Sequence, residues 1–120
     1  MSYDNKLNLE ASKVELIENH SGEEADILYL EKGDVVIHQD KKTHYNGWIY
    51  CKSNGKYGWI PENYMEHQVN NQSIMKKFYS SYELECESGE IVEILVQESQ
   101  WYLVKNDQGK IGWIPIKKTK

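Results

Sequence analysis

Arginine is absent from these 120 residues, so all fourteen strongly basic side chains are lysine. Without a guanidinium fork there is no residue for bidentate reading of guanine or phosphate. A net charge of −5 adds electrostatic repulsion from a polyanion, and together these exclude a nucleic-acid partner. Cysteine is scarce: Cys51 and Cys86 have no C-x-x-C spacing, which leaves neither a zinc site nor a redox motif and predicts two reduced, half-buried thiols. No run of eighteen apolar residues offers a membrane span, and the amino terminus lacks a basic-then-apolar pattern, so a cytoplasmic protein is expected. His20, His38, His44 and His67 follow neither H-x-x-x-H nor H-E-x-x-H spacing. Neither Cys has a His placed by motif, and Glu23, Glu24 and Asp26 share one loop that would not raise a carboxyl pKa. Hence no catalytic residue, no metal and no cofactor is expected.

What the chain does have is a repeat. Gly55-Lys56-Tyr57-Gly58-Trp59-Ile60-Pro61 returns 54 residues later as Gly109-Lys110-Ile111-Gly112-Trp113-Ile114-Pro115. Upstream of each stands a Gly, an acid and a β-branched run, Gly33-Asp34-Val35-Val36-Ile37 and Gly89-Glu90-Ile91-Val92-Glu93-Ile94. Trp48 and Trp101 lie between these landmarks. A unit of this length is near the lower limit for one hydrophobic core, and four Trp and nine Tyr against a single Phe supply the burial.

The period is that of strands. Val14 and Leu16 alternate, residues 18–24 form a polar loop, Leu28 and Leu30 resume the alternation, and Val35 and Ile37 share a face. Trp48, Tyr50 and Lys52 lie on one side of the next strand, with Ile49 and Cys51 on the other. Asn54-Gly55 predicts a type I′ hairpin turn, and Pro61, which cannot donate to a ladder, ends the strand that follows. Copy two repeats the path through Leu84, Cys86, Ile91–Val96, Gln100–Lys105 and Lys110–Ile114. The expected fold is all-β: two tandem small five-stranded barrels, closed so that no edge strand is left bare. The expected boundaries are a flexible terminus over 1–12, a first domain over 13–66, a linker over 67–73 and a shortened second domain over 74–120.

Residues 13–66 resemble the SH3 domain. The motifs that carry the likeness are Leu28-Tyr29-Leu30-Glu31-Lys32-Gly33-Asp34, Gly47-Trp48, and Gly58-Trp59-Ile60-Pro61-Glu62-Asn63-Tyr64-Met65. The P-x-N-Y ending points to the peptide-binding type rather than the bacterial wall-binding type. The resemblance implies a shallow aromatic groove in which Trp48, Pro61, Asn63 and Tyr64 receive a polyproline II peptide. It also implies RT-loop acids, Glu23, Glu24 and Asp26, that pair with a basic ligand residue. Trp48 is expected in the exposed groove and Trp59 on the buried side. Counting back from Leu28 puts the family's A-L-Y-D-Y motif on Leu16 to His20, so its two ligand-stacking tyrosines become Glu18 and His20. Copy two is similar but less complete: Phe78, Trp101 and Pro115 suggest a second groove, while Lys117 and Lys118 replace the Asn-Tyr pair.

The function expected is a non-catalytic interaction module that holds a proline-containing or basic segment of a partner protein. Two other classes fit parts of the sequence. One is a small acidic inhibitor of a basic enzyme, of immunity type, since 12 acids and 7 lysines give −5 in residues 1–68 while 7 of each balance in 69–120. The other is a cell-wall-binding module, suggested by the Gly-Trp pairs at Gly47, Gly58 and Gly112.

Overall fold

Asn54 and Gly55 take φ of 50° and 78°, the left-handed pair that a tight hairpin between right-twisted strands requires. They join β4 (Trp48–Ser53) to β5 (Lys56–Pro61), and the six-residue register runs from Trp48 opposite Pro61 to Ser53 opposite Lys56. This hairpin belongs to a computed structural model that describes residues 12–22, 26–43 and 45–120. Residues 1–11, Glu23, Glu24, Ala25 and His44 fall outside the described residues, and with them most of the expected flexible terminus.

The chain forms eleven described strands: β1 (Lys13–Glu15), β2 (Tyr29–Leu30), β3 (Val35–His38), β4, β5, β6 (Met65–His67), β7 (Gln72–Met75), β8 (Tyr79–Ser80), β9 (Ile91–Glu98), β10 (Trp101–Lys105) and β11 (Ile111–Pro115). Short 3-10 turns at Glu62–Tyr64 and Ile116–Lys118 follow the two prolines. The described residues are all-β apart from these turns, and they separate into two compact units. The sheets of both are open, ordered β5-β4-β3-β7-β6 and β2-β8 in one, β1-β9-β10-β11 in the other. The closure expected from sequence is therefore not made by a continuous ladder: β6 pairs with β7 and β5 with β4 at the two edges.

The units divide the chain differently from the sequence boundaries. Residues 26–81 form unit 1, and residues 12–22 join 82–120 in unit 2. The first strand of each copy has changed places. In unit 2 Gly89 N–H donates to Leu16 O at 2.7 Å, Leu16 N–H to Glu90 O at 2.9 Å, and Ile17 N–H to Lys118 O at 2.8 Å. In unit 1 Gly33 N–H donates to Met75 O at 2.8 Å, Met75 N–H to Asp34 O at 2.9 Å, and Lys76 N–H to Tyr64 O at 2.8 Å. Met75 thus does for unit 1 what Leu16 does for unit 2, and unit 1 is a continuous stretch inserted into unit 2.

The physical reason lies in residues 68–71. The segment read as a linker is a hairpin: Gln72 N–H donates to Val69 O, Gln68 N–H to Gln72 O, and Asn70 takes φ of 56°. Closing so short a loop sets β7 beside β6 at small entropic cost, whereas β1 would have to close about fifty residues to reach the same place. The core of unit 2 is Leu16, Leu84, Cys86, Val92, Val104 and Ile114. In unit 1 Leu28, Val36, Cys51, Ile60 and Met75 are buried. Burial pushes the Cys51 thiol up to about 12, and burial with the charges of Glu90 and Glu85 pushes Cys86 up to about 11. Neither is a thiolate near neutrality, so alkylation at pH 8 should be negligible in the native protein and complete in denaturant, as counted by mass spectrometry.

Candidate functional site

Pro61 ends β5 in an extended conformation with φ of −62°, and the chain then tightens into the turn Glu62–Tyr64. Glu62 N–H donates to Gly47 O at 2.8 Å and ties that turn to the start of β4. Trp48 lies directly opposite Pro61, so Trp48, Pro61, Asn63 and Tyr64 come from one corner of unit 1. Tyr64 meets a second ring there: its centroid is 5.5 Å from that of Tyr79, edge to face at 83°. The Tyr79 hydroxyl donates to Trp59 O at 2.6 Å.

Tyr79 was not among the residues the sequence analysis selected. It occupies the position that counting along the chain gave to His20, because β7 and the residues after it replace the amino-terminal segment in unit 1. The signal that could have found it is the match of Ser73 and Met75, both 1% exposed, to the alternation of Val14 and Leu16. His20 and Glu18 are in unit 2 instead. Phe78, expected in the second groove, belongs to unit 1 for the same reason.

Burial corrects two further expectations. Trp48 is 8% exposed, not the open side chain expected, and Trp59 is half-buried rather than interior. Gly58 and Ile60 take the inward positions of β5, Gly58 against Leu28, which sends Trp59 outward opposite Tyr50. There Tyr50 packs on Trp59 at 5.0 Å and on Tyr57 at 5.9 Å. Of the RT-loop acids, Asp26 accepts the Tyr57 N–H at 3.2 Å, and Glu23 and Glu24 fall outside the described residues.

Unit 2 holds Trp101 opposite Pro115, as Trp48 is opposite Pro61. Its remaining positions are polar. His20, 6% exposed, sets Nε2 at 2.9 Å from Glu83 Oε1 and Nδ1 at 3.1 Å from Lys118 Nζ, with Trp101 edge-on at 5.9 Å. An ammonium can only donate, so the two bonds together select the imidazole tautomer with hydrogen on Nε2. Lys118 stands where unit 1 has Tyr64, and beside it a cavity of about 520 Å³ is lined by Asn19, Ser21, Glu85, Glu87 and Glu90 among others.

The structure also joins two histidines that sequence spacing left apart. His38 and His67 rings are 5.7 Å apart, and His38 Nε2 lies 2.7 Å from the hydroxyl of buried Ser73. Burial lowers the His38 pKa below 6.5, the His67 charge lowers it further, and Glu62 partly opposes them. The folded state therefore prefers neutral His38. Its contribution to stability is full above pH 6.5 and is lost as pH falls through the lower folded value. Denaturation midpoints measured across that window should fall for the native protein and fall less for His38→Gln. Among the described residues no group of three or more His, Cys, Asp and Glu is placed to hold a metal ion, and no helix is long and apolar enough to cross a membrane.

Comparison with known proteins follows the order of the sequence repeat rather than the boundaries of the two units. Residues 13–68 match the family described as variant SH3 domain, and residues 79–116 match SH3 domain. The chain is similar to the SH2/SH3 adapter protein dreadlocks of Drosophila melanogaster, 27% identical over 118 residues, covering 81% of this chain and 21% of that protein. It is also similar to nostrin of Homo sapiens, 46% identical over 46 residues, 38% of this chain and 9% of the relative. Intersectin-2 of Mus musculus is 32% identical over 47 residues, 39% of this chain and 3% of the relative. The chain thus spans about a fifth or less of the length of these proteins. With two family matches in succession and an all-β structure that repeats one hydrogen-bond pattern twice, the chain belongs to the SH3 family and is a protein-interaction module built from two SH3 domains.

Proposed function

We propose that unit 1 captures a proline-containing segment of a partner protein, in the manner of an adapter. The observation that carries this reading is the convergence of Trp48, Pro61 and Tyr64 with Tyr79, a second tyrosine that the linear sequence had appeared to lack. Flat rings suit proline rings, and here Trp48, Tyr64 and Tyr79, 8%, 1% and 2% exposed, come together beside the exposed Asn63, a rigid aromatic corner of the kind a polyproline II helix can lie against. Of the proline-containing and basic segments that the sequence suggested, the first has the better support, because Asp26 is engaged by the Tyr57 N–H and Glu18 lies in unit 2. A cytoplasmic place of action is part of the proposal and agrees with two free, buried cysteines.

Trp48→Ala would remove a buried ring and risk unfolding, so the informative variant is Trp48→Phe, which keeps an aromatic ring but a smaller one. Titrated with proline-containing peptides and followed by NMR, the native protein should show shifts concentrated at Trp48, Asn63, Tyr64 and Tyr79. The variant should bind more weakly by about threefold or more, because the smaller ring covers less of the ligand. Shifts that cluster around Trp101 and Pro115 instead would move the site to unit 2.

A further inference from the structure

Strand exchange redistributes charge. The acids concentrate in the first 68 residues of the sequence, yet the segment 24–81 that makes up unit 1 holds seven lysines against seven acids, a balance of 0. Residues 12–22 with 82–120 hold six lysines against nine acids, a balance of −3. The half of the chain that seemed acidic thus gives its groove to the less acidic unit.

The lysines are also placed on the rings. Lys77 Nζ lies 4.0 Å from the centroid of Tyr64, and Lys41 Nζ lies 4.2 Å from Tyr50 and 5.9 Å from Trp59. Lys52 Nζ is 5.5 Å from Tyr57. All three side chains are exposed. Tyr64 is 1% exposed and Tyr50, Tyr57 and Trp59 are half-buried. The ammoniums themselves stand in water, where such a contact is weakly held, so each can turn to a carboxylate brought by a ligand while its stem still covers the ring. In the loop after β3 Asp40 is outnumbered by Lys41 and Lys42, and beside the turn that holds Glu62 stand Lys76 and Lys77. Lys76 is tied to that turn through its N–H to Tyr64 O.

We propose that unit 1 selects an acidic ligand: a proline-containing segment flanked by Asp or Glu, whose carboxylates meet Lys77 at one end of the groove and Lys41 at the other. The inference rests on the groove reading above and specifies its partner. Lys77 stands where the internal repeat has Glu18 in unit 2, so the exchange of first strands sets the sign of charge at this position in each unit.

The test uses the full chain and two labelled peptides that share one proline core, flanked either by Glu or by Lys, with binding followed by fluorescence anisotropy. At low salt the Glu-flanked peptide should bind about tenfold tighter than the Lys-flanked one, with the gap narrowing as salt screens the charges. Lys77→Glu and Lys41→Glu should each reduce that preference about threefold or more. Lys77→Met, which keeps a flexible side chain over Tyr64 and removes the charge, should also reduce it without altering the thermal midpoint. Equal or tighter binding of the Lys-flanked peptide overturns the inference and leaves the groove in place. Binding of neither peptide removes the groove reading and this inference with it. A dimer that forms without peptide and dissociates in salt would give these lysines to the acidic unit 2 of a second copy, and would also overturn it.

Discussion

A chain trimmed to residues 13–66 should fail to fold, whereas one trimmed to 26–81 should fold by itself. The first keeps every motif of the sequence repeat and loses β7 and β8. With them go the ladders to β3 and β6, the buried Met75 and Ser73, and the Tyr79 ring against Tyr64. Loss of a buried Met side chain alone costs about 2–5 kcal/mol, close to the whole stability of a domain of this size. The second fragment contains both strands of every pairing in unit 1, from Tyr29 opposite Ser80 to Met65 opposite Met75. Urea titrations followed by tryptophan fluorescence decide the matter. A cooperative transition for 26–81 and none for 13–66 is expected. A transition for 13–66 within about 1 kcal/mol of the other would mean that β1 can take the place of β7, and that exchange is one of two states close in energy.

That such exchange was invisible in the sequence has a simple cause. Strand pairing is made by backbone groups, and the segments around Leu16 and Met75 present the same period-two pattern to the same kind of slot. Landmark order shows how many units there are and what each contains. It does not say which copy of a strand completes which unit. Features fixed within a few residues were legible: the Asn54-Gly55 turn, the end of β5 at Pro61, the Trp48 to Tyr64 corner. Features that depend on a partner distant in sequence were not. Tyr79 on Tyr64, His38 beside His67, and His20 held between Glu83 and Lys118 all follow from strand placement. Trp59 is half-buried rather than interior for a related reason, since the inward places of β5 went to Gly58 and Ile60.

The two copies of the Gly-Trp motif should respond very differently to one added methyl group. A Cβ at Gly112 would stand 2.7 Å from the backbone nitrogen of Leu84 and 2.9 Å from both Leu84 Cβ and Tyr82 Cδ2. At Gly58 the nearest atoms are Leu28 Cδ1 at 2.9 Å and Cγ at 3.0 Å, the outer part of a side chain. A leucine can change rotamer, but the segment around Leu84 is bound to β11. Trp113 N–H donates to Tyr82 O at 2.9 Å and Leu84 N–H to Trp113 O at 3.1 Å, so retreat of that segment breaks the bonds that position it. Overpacking of a well-packed core costs about 1–3 kcal/mol, so Gly58→Ala is expected near the lower end and Gly112→Ala at or above the upper. Denaturant midpoints measured on the full chain should fall in that order. Two equal shifts would show that the approach of residues 82–84 to β11 is looser than 2.7 Å implies, and that this seam of unit 2 yields without losing its hydrogen bonds.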